Sequence, residues 1–290
     1  MDERAVAVIS DAVQRASGDT VVSSTVVHGG DTSAAFRVET SDGRRFFAKT
    51  HPSPPAGFFT TEATSLAWLA ESGAVHVPNV VAVSDGIGGR SGHFVLEWIE
   101  QGSQPDEVAF GRSLAELHAS GAPHFGRVDG RTTGSLGLPN DPTDTWAEFM
   151  ATYRYAPLAR IASARGSLPD DVIRDLDRLA STLDRFDDGA PPARLHGDLW
   201  AGNRLVDVDG KSWLIDPAAH GGHREFDLAM MHLFGGYGAE VISGYQAVSP
   251  LAVDWQDRIE LNQIAPLVVH AIKFGGSYVG AASSAILRYQ

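Results

Sequence analysis

The hydrophobic period of this chain changes near residue 100, and that change limits the class of fold open to it. Before it, segments 20–27, 34–40 and 45–50 are rich in Val, Phe and Thr and are separated by Gly-Gly-Asp and Ser-Asp-Gly. This is the pattern of antiparallel strands joined by tight turns. A short helix over 5–16, stopped by Gly18, precedes them; a helix over 60–72 and two further strand-like runs, 80–84 and 93–99, follow. The polar stretch 100–105 contains Gly, Ser and Pro and reads as a linker. Beyond it the period is helical, over 108–117, 146–163, 170–186, 225–233, 239–248 and 255–274. A hairpin turning at Asp209-Gly210 interrupts the helices. The expected fold is α+β with two lobes: an N-terminal antiparallel sheet lobe over 1–99 and a mainly helical C-terminal lobe over 100–290.

Composition narrows the partners. At 290 residues, 43% hydrophobic, the chain can bury a core in each lobe. Its formal net charge of -13 repels phosphate backbones and anionic lipid, so neither nucleic acid nor a membrane surface is expected as a partner, and a neutral or cationic small molecule is. Without cysteine there is neither a disulfide framework nor a thiolate zinc site. The opening Met-Asp-Glu-Arg-Ala-Val lacks the basic and apolar regions of a signal peptide, and no apolar run approaches the ~20 residues of a membrane span. The expected location is cytoplasmic, and the oligomeric state is left open.

The chemistry concentrates in Leu195-His196-Gly197-Asp198-Leu199-Trp200-Ala201-Gly202-Asn203, followed after the hairpin by Ile215-Asp216-Pro217. Phosphoryl transfer to an alcohol needs a carboxylate beside the hydroxyl and Mg²⁺ held by oxygen ligands. Asp198 is the candidate base, and Asn203 and Asp216 are the candidate metal ligands. The Asp-x-x-x-x-Asn spacing equals that of the protein-kinase catalytic loop. A polar turn with a helix-capping Asp would explain Asp198 alone, but not the three residues together. In the N-terminal lobe Lys49 ends the run Phe46-Phe47-Ala48-Lys49, where a lysine can contact nucleotide phosphates, and Glu62 on the next helix can pair with it. Gly29, Gly30, Thr32 and Ser33 lie in the turn between the first two strands, where backbone amides could cover phosphates or simply form a hairpin. ATP and Mg²⁺ are the expected cofactors.

His-Gly-Asp-Leu-Trp-Ala-Gly-Asn at 196–203 and Asp-Pro-Ala-Ala-His-Gly-Gly-His-Arg-Glu-Phe-Asp-Leu-Ala-Met at 216–230 resemble the fructosamine kinase (ketosamine-3-kinase) family. That family is a branch of the aminoglycoside phosphotransferase group with a protein-kinase-like fold. The resemblance extends to Glu97, Trp98 and Ile99 as the interlobe hinge beside the nucleotide, to the segment from Trp146 to Pro157 with Phe149 and Arg154, and to the His-x-x-x-Phe-Gly element that starts at His270. It implies phosphorylation of the sugar C3 hydroxyl of a ketosamine or glycated amine, a deglycation repair, with Trp200 and His270 as walls of the substrate site. Asp31 stands where some members carry a Cys, so a disulfide-linked dimer is excluded.

Three rival readings remain. The same catalytic set serves aminoglycoside- and choline-type kinases. His220 and His223, with Asp216 and Asp227, could form a metal-dependent hydrolase site, although His-x-x-His in a Gly-rich loop is a weak metal signal. A non-catalytic ATP-binding protein is disfavoured by the presence of Lys49, Asp198, Asn203 and Asp216 together. His118 and His196 are expected as buried, hydrogen-bonded histidines, and Arg154 and Arg224 as phosphate contacts or salt-bridge partners.

Overall fold

The N-terminal amphipathic segment forms α1 (Glu3–Ser17), and the Val-, Phe- and Thr-rich runs form β1 (Val21–Val27), β2 (Ala34–Thr40) and β3 (Arg45–His51). After α2 (Phe58–Ala70) come β4 (Val80–Ser84) and β5 (Gly92–Glu97). All five strands pair antiparallel in the order β1-β2-β3-β5-β4. Successive side chains on a strand point to opposite faces, and here the two faces bury against different helices. Phe36, Val38, Phe46 and Ala48 pack on Ile9 and Val13 of α1. Phe94 and Leu96 meet Phe59 and Leu66 of α2 on the other face. Lys49, one residue past Ala48, therefore points toward α2.

The computed structural model describes residues 3–27, 33–86, 88 and 90–290. The chain forms two units that are not consecutive stretches: Met1–Pro105 with Leu205–Asp216, and Asp106–Arg204 with Pro217–Gln290. The second unit contains α3 (Glu107–Ala119), α4 (Trp146–Met150), a π-type turn (Ala151–Tyr155), α5 (Ala156–Arg165), α6 (Asp170–Ala180) and β6 (Ala193–Leu195). The hairpin β7 (Arg204–Val206) and β8 (Ser212–Leu214) follows. Residues 205–216 group with the first unit, where Leu214 N donates to His76 O at 2.9 Å and Gly102 N to Val206 O at 2.8 Å. Then come β9 (His220–Gly222), α7 (Glu225–Leu233), α8 (Glu240–Val248), α9 (Ile259–Phe274) and α10 (Ser277–Arg288). Leu158, Leu176, Ile264, Val268 and Ile286 lie in one buried cluster of the second unit. Among the described residues no helix is long and apolar enough to cross a membrane.

Several elements differ from the sequence expectation. The helix expected over 146–163 is interrupted by the π-type turn around Arg154, whose buried guanidinium donates to Pro139 O, Tyr153 O and Asn140 Oδ1 at 2.8, 2.9 and 2.6 Å. The helix expected over 255–274 opens with a 3₁₀ turn, Trp255–Arg258. Strands β6 and β9 pair antiparallel over three residues, too short for a periodic signal, and α10 lies beyond the last expected helix.

Helices α3 and α8 cross at glycine. A Cβ on Gly111 would press on the Val241 carbonyl and come within 2.8 Å of Tyr245 N, and one on Gly244 would lie 3.0 Å from Val108 Cα. Only hydrogen at both positions allows this approach. It places His118 of α3 against Tyr245 of α8, with Nδ1 2.8 Å from the phenol oxygen. Gly244→Val is expected to destabilise the protein by about 1–3 kcal/mol through overpacking, read as a lower urea midpoint at unchanged slope; an unchanged midpoint would show that the helices can part without cost.

Candidate active site

The segment from His196 to Asn203 leaves β6 and turns sharply at Gly197, whose φ is 81°. A Cβ there would collide with the Ala218 backbone and sit 3.0 Å from His220 Nδ1, so the turn requires glycine. Asp227, at the start of α7 and 0% exposed, holds this turn from beneath. Its carboxylate accepts from His196 N at 2.7 Å and Gly197 N at 2.9 Å, and lies 3.3 Å from His118 Nε2. Burial alone would raise the Asp227 pKa; the hydrogen bond from His118 and the backbone N–H groups outweigh it and hold the carboxyl below its usual range. Sequence reading placed Asp227 only in the rival hydrolase set, and its anchoring role is visible only in tertiary contacts.

Two residues past the turn, Asp198 is fixed from both sides. Its N–H donates to His196 Nδ1 at 3.3 Å, and its carbonyl accepts from Trp200 N at 3.0 Å. Asn203, nearly buried, donates through Nδ2 to Asp198 O at 2.9 Å and to Asp198 Oδ2 at 3.0 Å. The expected base and one expected metal ligand are thus brought together. Both bonds use Nδ2, which fixes the orientation of the Asn203 amide against Asp198.

In the first unit, Lys49 is 6% exposed and lies between two carboxylates. Nζ is 3.2 Å from Glu62 Oε1 of α2 and is hydrogen-bonded to Asp216 Oδ1. Burial pulls the ammonium pKa down, but the charges of Glu62 and Asp216 outweigh it and leave it raised, so Lys49 stays protonated. Burial drives the Glu62 pKa up; Lys49 opposes this and the neighbouring Asp216 charge adds to it. Asp216 has a left-handed φ of 52°, the one non-glycine positive φ among the described residues. The following Pro217 restricts that backbone further, and such outliers concentrate at functional positions.

The remaining expected residues divide. Gly29, Gly30 and Thr32 lie outside the described residues; Ser33 is half-buried just before β2. Glu97 closes β5, and its Oε1 accepts from Asn79 N at 2.8 Å and Asn79 Nδ2 at 3.0 Å. Trp98 N donates to Arg45 O at 3.3 Å, Trp98 Nε1 is buried with no hydrogen-bond acceptor, and Ile99 is buried. Trp200 and His270 do not touch as a pair. Phe234 stands between them, 6.0 Å from the Trp200 ring and 5.2 Å from the His270 ring. Phe274 and Tyr278 extend the cluster, with His270 5.6 and 5.0 Å from their rings. Trp200, Phe234 and Phe274 are exposed at 39, 43 and 55%, unusual for large aromatics in a single patch. Sequence reading missed Phe234 and Tyr278, whose signal was only aromatic spacing.

The histidines of the rival hydrolase set face other partners. His220 Nδ1 donates to Ala218 O at 2.8 Å, and burial together with the Arg154 charge pushes its pKa down to about 3. His223 lies 3.4 Å from Asp188 Oδ1 and 3.9 Å from Glu225 Oε2. No group of three His, Cys, Asp or Glu among the described residues could hold a metal ion, so a His-based hydrolase centre has no geometric support. His118 and His196 are buried and hydrogen-bonded as expected. Arg224 donates to Ser249 Oγ at 2.5 Å and to Pro250 O at 2.8 Å.

The family profile described as fructosamine kinase matches residues 1–289. The chain belongs to the fructosamine kinase family. It is 33% identical over 256 residues to a probable ketoamine kinase of Enterococcus faecium, covering 87% of this chain and 90% of that protein. A solved structure from Thermobifida fusca, provisionally assigned as a fructosamine-3-kinase, is 37% identical with a TM-score of 0.85 over 97% of this chain and 98% of that one. At the level of fold alone, the choline kinase LicA from Streptococcus pneumoniae matches with a TM-score of 0.62 at 16% identity, covering 98% and 99% of the two chains. The protein-kinase-like α+β fold expected from the sequence is the fold of this family of phosphotransferases.

Asp227→Asn keeps the shape of the side chain and removes its charge. Because the folded pKa is depressed, the charged form contributes stability above the unfolded carboxyl value of about 3.9, and that contribution is lost as pH falls through the lower folded value. The stability gap between wild type and Asp227→Asn is expected to be full at neutral pH, roughly 3 kcal/mol or more for an unsatisfied buried site, and to shrink in acid. Urea titrations at pH 7 and pH 3 measure it; an equal gap at both would exclude a charged anchor.

Proposed function

We propose that the protein transfers the γ-phosphoryl group of ATP to the C3 hydroxyl of a ketosamine. The observation that carries this reading is the Asp198–Asn203 pair, held on a loop anchored by Asp227, in a chain of the fructosamine kinase family. The first unit holds the nucleotide in this reading, with Lys49 on its phosphates, Glu62 fixing Lys49, the Gly29–Gly30–Thr32–Ser33 turn over the phosphates, and Glu97, Trp98 and Ile99 beside the base. Two proteins of the same fold support nucleotide use: LicA was solved with AMP, and an amicoumacin kinase with AMP-PNP and Ca²⁺.

The donor set suits Mg²⁺, since Asp216 and the Asn203 carbamoyl oxygen are hard oxygen ligands and a cation, Lys49, already sits on Asp216. Asp216 and Asn203 would hold the ion, which when bound neutralises phosphate charge. Asp198 accepts the proton of the C3 hydroxyl while that oxygen forms its bond to the γ-phosphorus. The bond from that phosphorus to the bridging oxygen breaks, ADP leaves with its electron pair, and the proton passes from Asp198 to solvent after product release. Asn203 keeps the Asp198 carboxylate aimed through its 3.0 Å bond. Trp200 and His270, with Phe234 between them, wall the acceptor, and the ring faces suit a protonated amine. A C3 phosphate beside the ketone is a better leaving group than a hydroxyl: once a C1 proton is lost to give the enaminol, the C3–O bond can break with release of phosphate, and water then hydrolyses the resulting imine to free the amine, which is a deglycation.

Asp198→Asn is expected to lower turnover by about 10²–10⁴-fold while leaving nucleotide affinity within about threefold, measured by coupled ADP release and by titration calorimetry. Retained turnover would remove Asp198 from the chemistry. With the wild type, a panel of fructosamines, ribulosamines, aminoglycosides and choline separates the acceptors: phosphorylation confined to ketosamines is expected, and transfer only to aminoglycosides or choline would overturn the substrate assignment.

A further inference from the structure

Helix α2 carries Glu62 but supplies no cap of its own. Its N-cap position is Gly57, at φ 85°, with no side-chain cap bond, and its first turn contains no acidic residue. The first N–H groups of a helix have no partner within it, and here they are met from elsewhere. Phe58 N donates to Pro55 O at 3.1 Å, and a single carboxylate from the segment after β4 takes the rest. Asp85 Oδ2 accepts from Gly57 N at 2.9 Å and from Thr60 Oγ1 at 2.6 Å, and Oδ1 accepts from Phe59 N at 2.6 Å and Thr60 N at 3.0 Å. Four hydrogen bonds on one carboxylate, 25 to 28 residues away in sequence, are more than an ordinary cap makes.

The bonds land where they can act on Lys49. Glu62 is two residues beyond Thr60, within the second turn of the helix, and its Oε1 is 3.2 Å from Lys49 Nζ. Phe59, whose N–H Asp85 takes, stacks on Phe94 at 6.0 Å and 17°. Phe94 is the residue of β5 that pairs with Lys49 on β3. Asp85 thus ties the leading turn of α2 to the sheet at the height of Lys49, and its negative charge faces the positive end of the helix dipole. Burial would raise the Asp85 pKa, but the hydrogen bonds from Thr60, Phe59 and Gly57 outweigh it and lower it, so the carboxylate is charged at neutral pH.

We infer that Asp85 is a positioning residue for nucleotide use: by bonding Gly57, Phe59 and Thr60 it holds Glu62 against Lys49. This rests on the assignment of Lys49 to the nucleotide phosphates. Removing Asp85 loosens the first turns of α2, leaves Lys49 with Asp216 alone, and weakens phosphate contact without touching the acceptor site.

The test is a double-mutant cycle of Asp85→Ala and Glu62→Gln, with Asp85→Asn and Thr60→Val as milder variants should Asp85→Ala fail to fold. Asp85→Ala is expected to raise KM for ATP about tenfold with acceptor KM unchanged, Asp85→Asn to fall between it and wild type, and Asp85→Ala to add almost nothing in the Glu62→Gln background. Additive losses, or an equal rise in both KM values, would overturn a positioning role through Glu62. Hydrogen exchange of amides 57–63 gives a readout that needs no turnover. Faster exchange in Asp85→Ala confirms the cap, and unchanged exchange refutes it. A wild type inactive toward every ATP acceptor would instead sink the kinase reading while the exchange result stood by itself.

Discussion

A fully buried carboxylate, Asp227, is the constraint around which the second unit is arranged. An ionised group out of water must find compensating donors or lose its charge. Its donors are the backbone N–H groups of His196 and Gly197, with His118 at its other side, so its requirement becomes the shape of the loop that carries Asp198. The requirement propagates outward. His118 reaches Asp227 because α3 lies close on α8, and α3 lies close because Gly111 and Gly244 leave no side chain between the helices. The first unit solves the same problem with opposite sign: the buried Lys49 ammonium is met by Glu62 and Asp216, which fixes α2 and the end of the 205–216 segment relative to β3.

The sequence showed the parts of this arrangement that lie in contiguous patterns. Strands β1 to β5 were legible because alternation and turn residues are local signals, and their sheet order follows from antiparallel pairing around α2. Asp198, Asn203 and Lys49 stood out as candidates because phosphoryl transfer dictates residue types in a set order. What escaped depends on tertiary contact. Asp85 sits in a short Asp-Gly loop that reads as a turn, and nothing local connects it to Gly57 or Thr60. Phe234 lies next to two glycines and reads as a loop residue, although it bridges Trp200 and His270. Strand β9 is His220-Gly221-Gly222, with no side-chain alternation to see; a Cβ on Gly221 would collide with the His124 carbonyl. Helix α10 was hidden by the glycine pair at 275 and 276, a stop signal that here only separates two helices; its apolar 282, 285 and 286 do carry a helical period.

The net charge of -13 set a difficulty for any nucleotide site, since an anion must enter a negative field. Placement of the cations bears on it. Lys49 is not left in water, where its charge would be screened, but is kept protonated in a poorly hydrated position by two carboxylates. Those carboxylates differ in access to solvent, the Glu62 side chain being 17% exposed and that of Asp216 33%. Glu62 belongs to a helix braced by Asp85 and the Phe59–Phe94 stack, so it is a fixed partner. Asp216 stands at the chain's single described non-glycine left-handed residue, before a proline, on a backbone with few alternatives.

That difference gives the ion pair a direction. In the proposed kinase reading, a polyphosphate at Lys49 would compete with Asp216 for the ammonium, and a divalent cation would compete with Lys49 for Asp216. Neither exchange alone would strand Lys49, because Glu62 Oε1 stays 3.2 Å from its Nζ, and Asp216, whose side chain is 33% exposed, can be met by water. Glu62, on a helix whose first turn is bonded to Asp85, is the partner that would remain on Lys49.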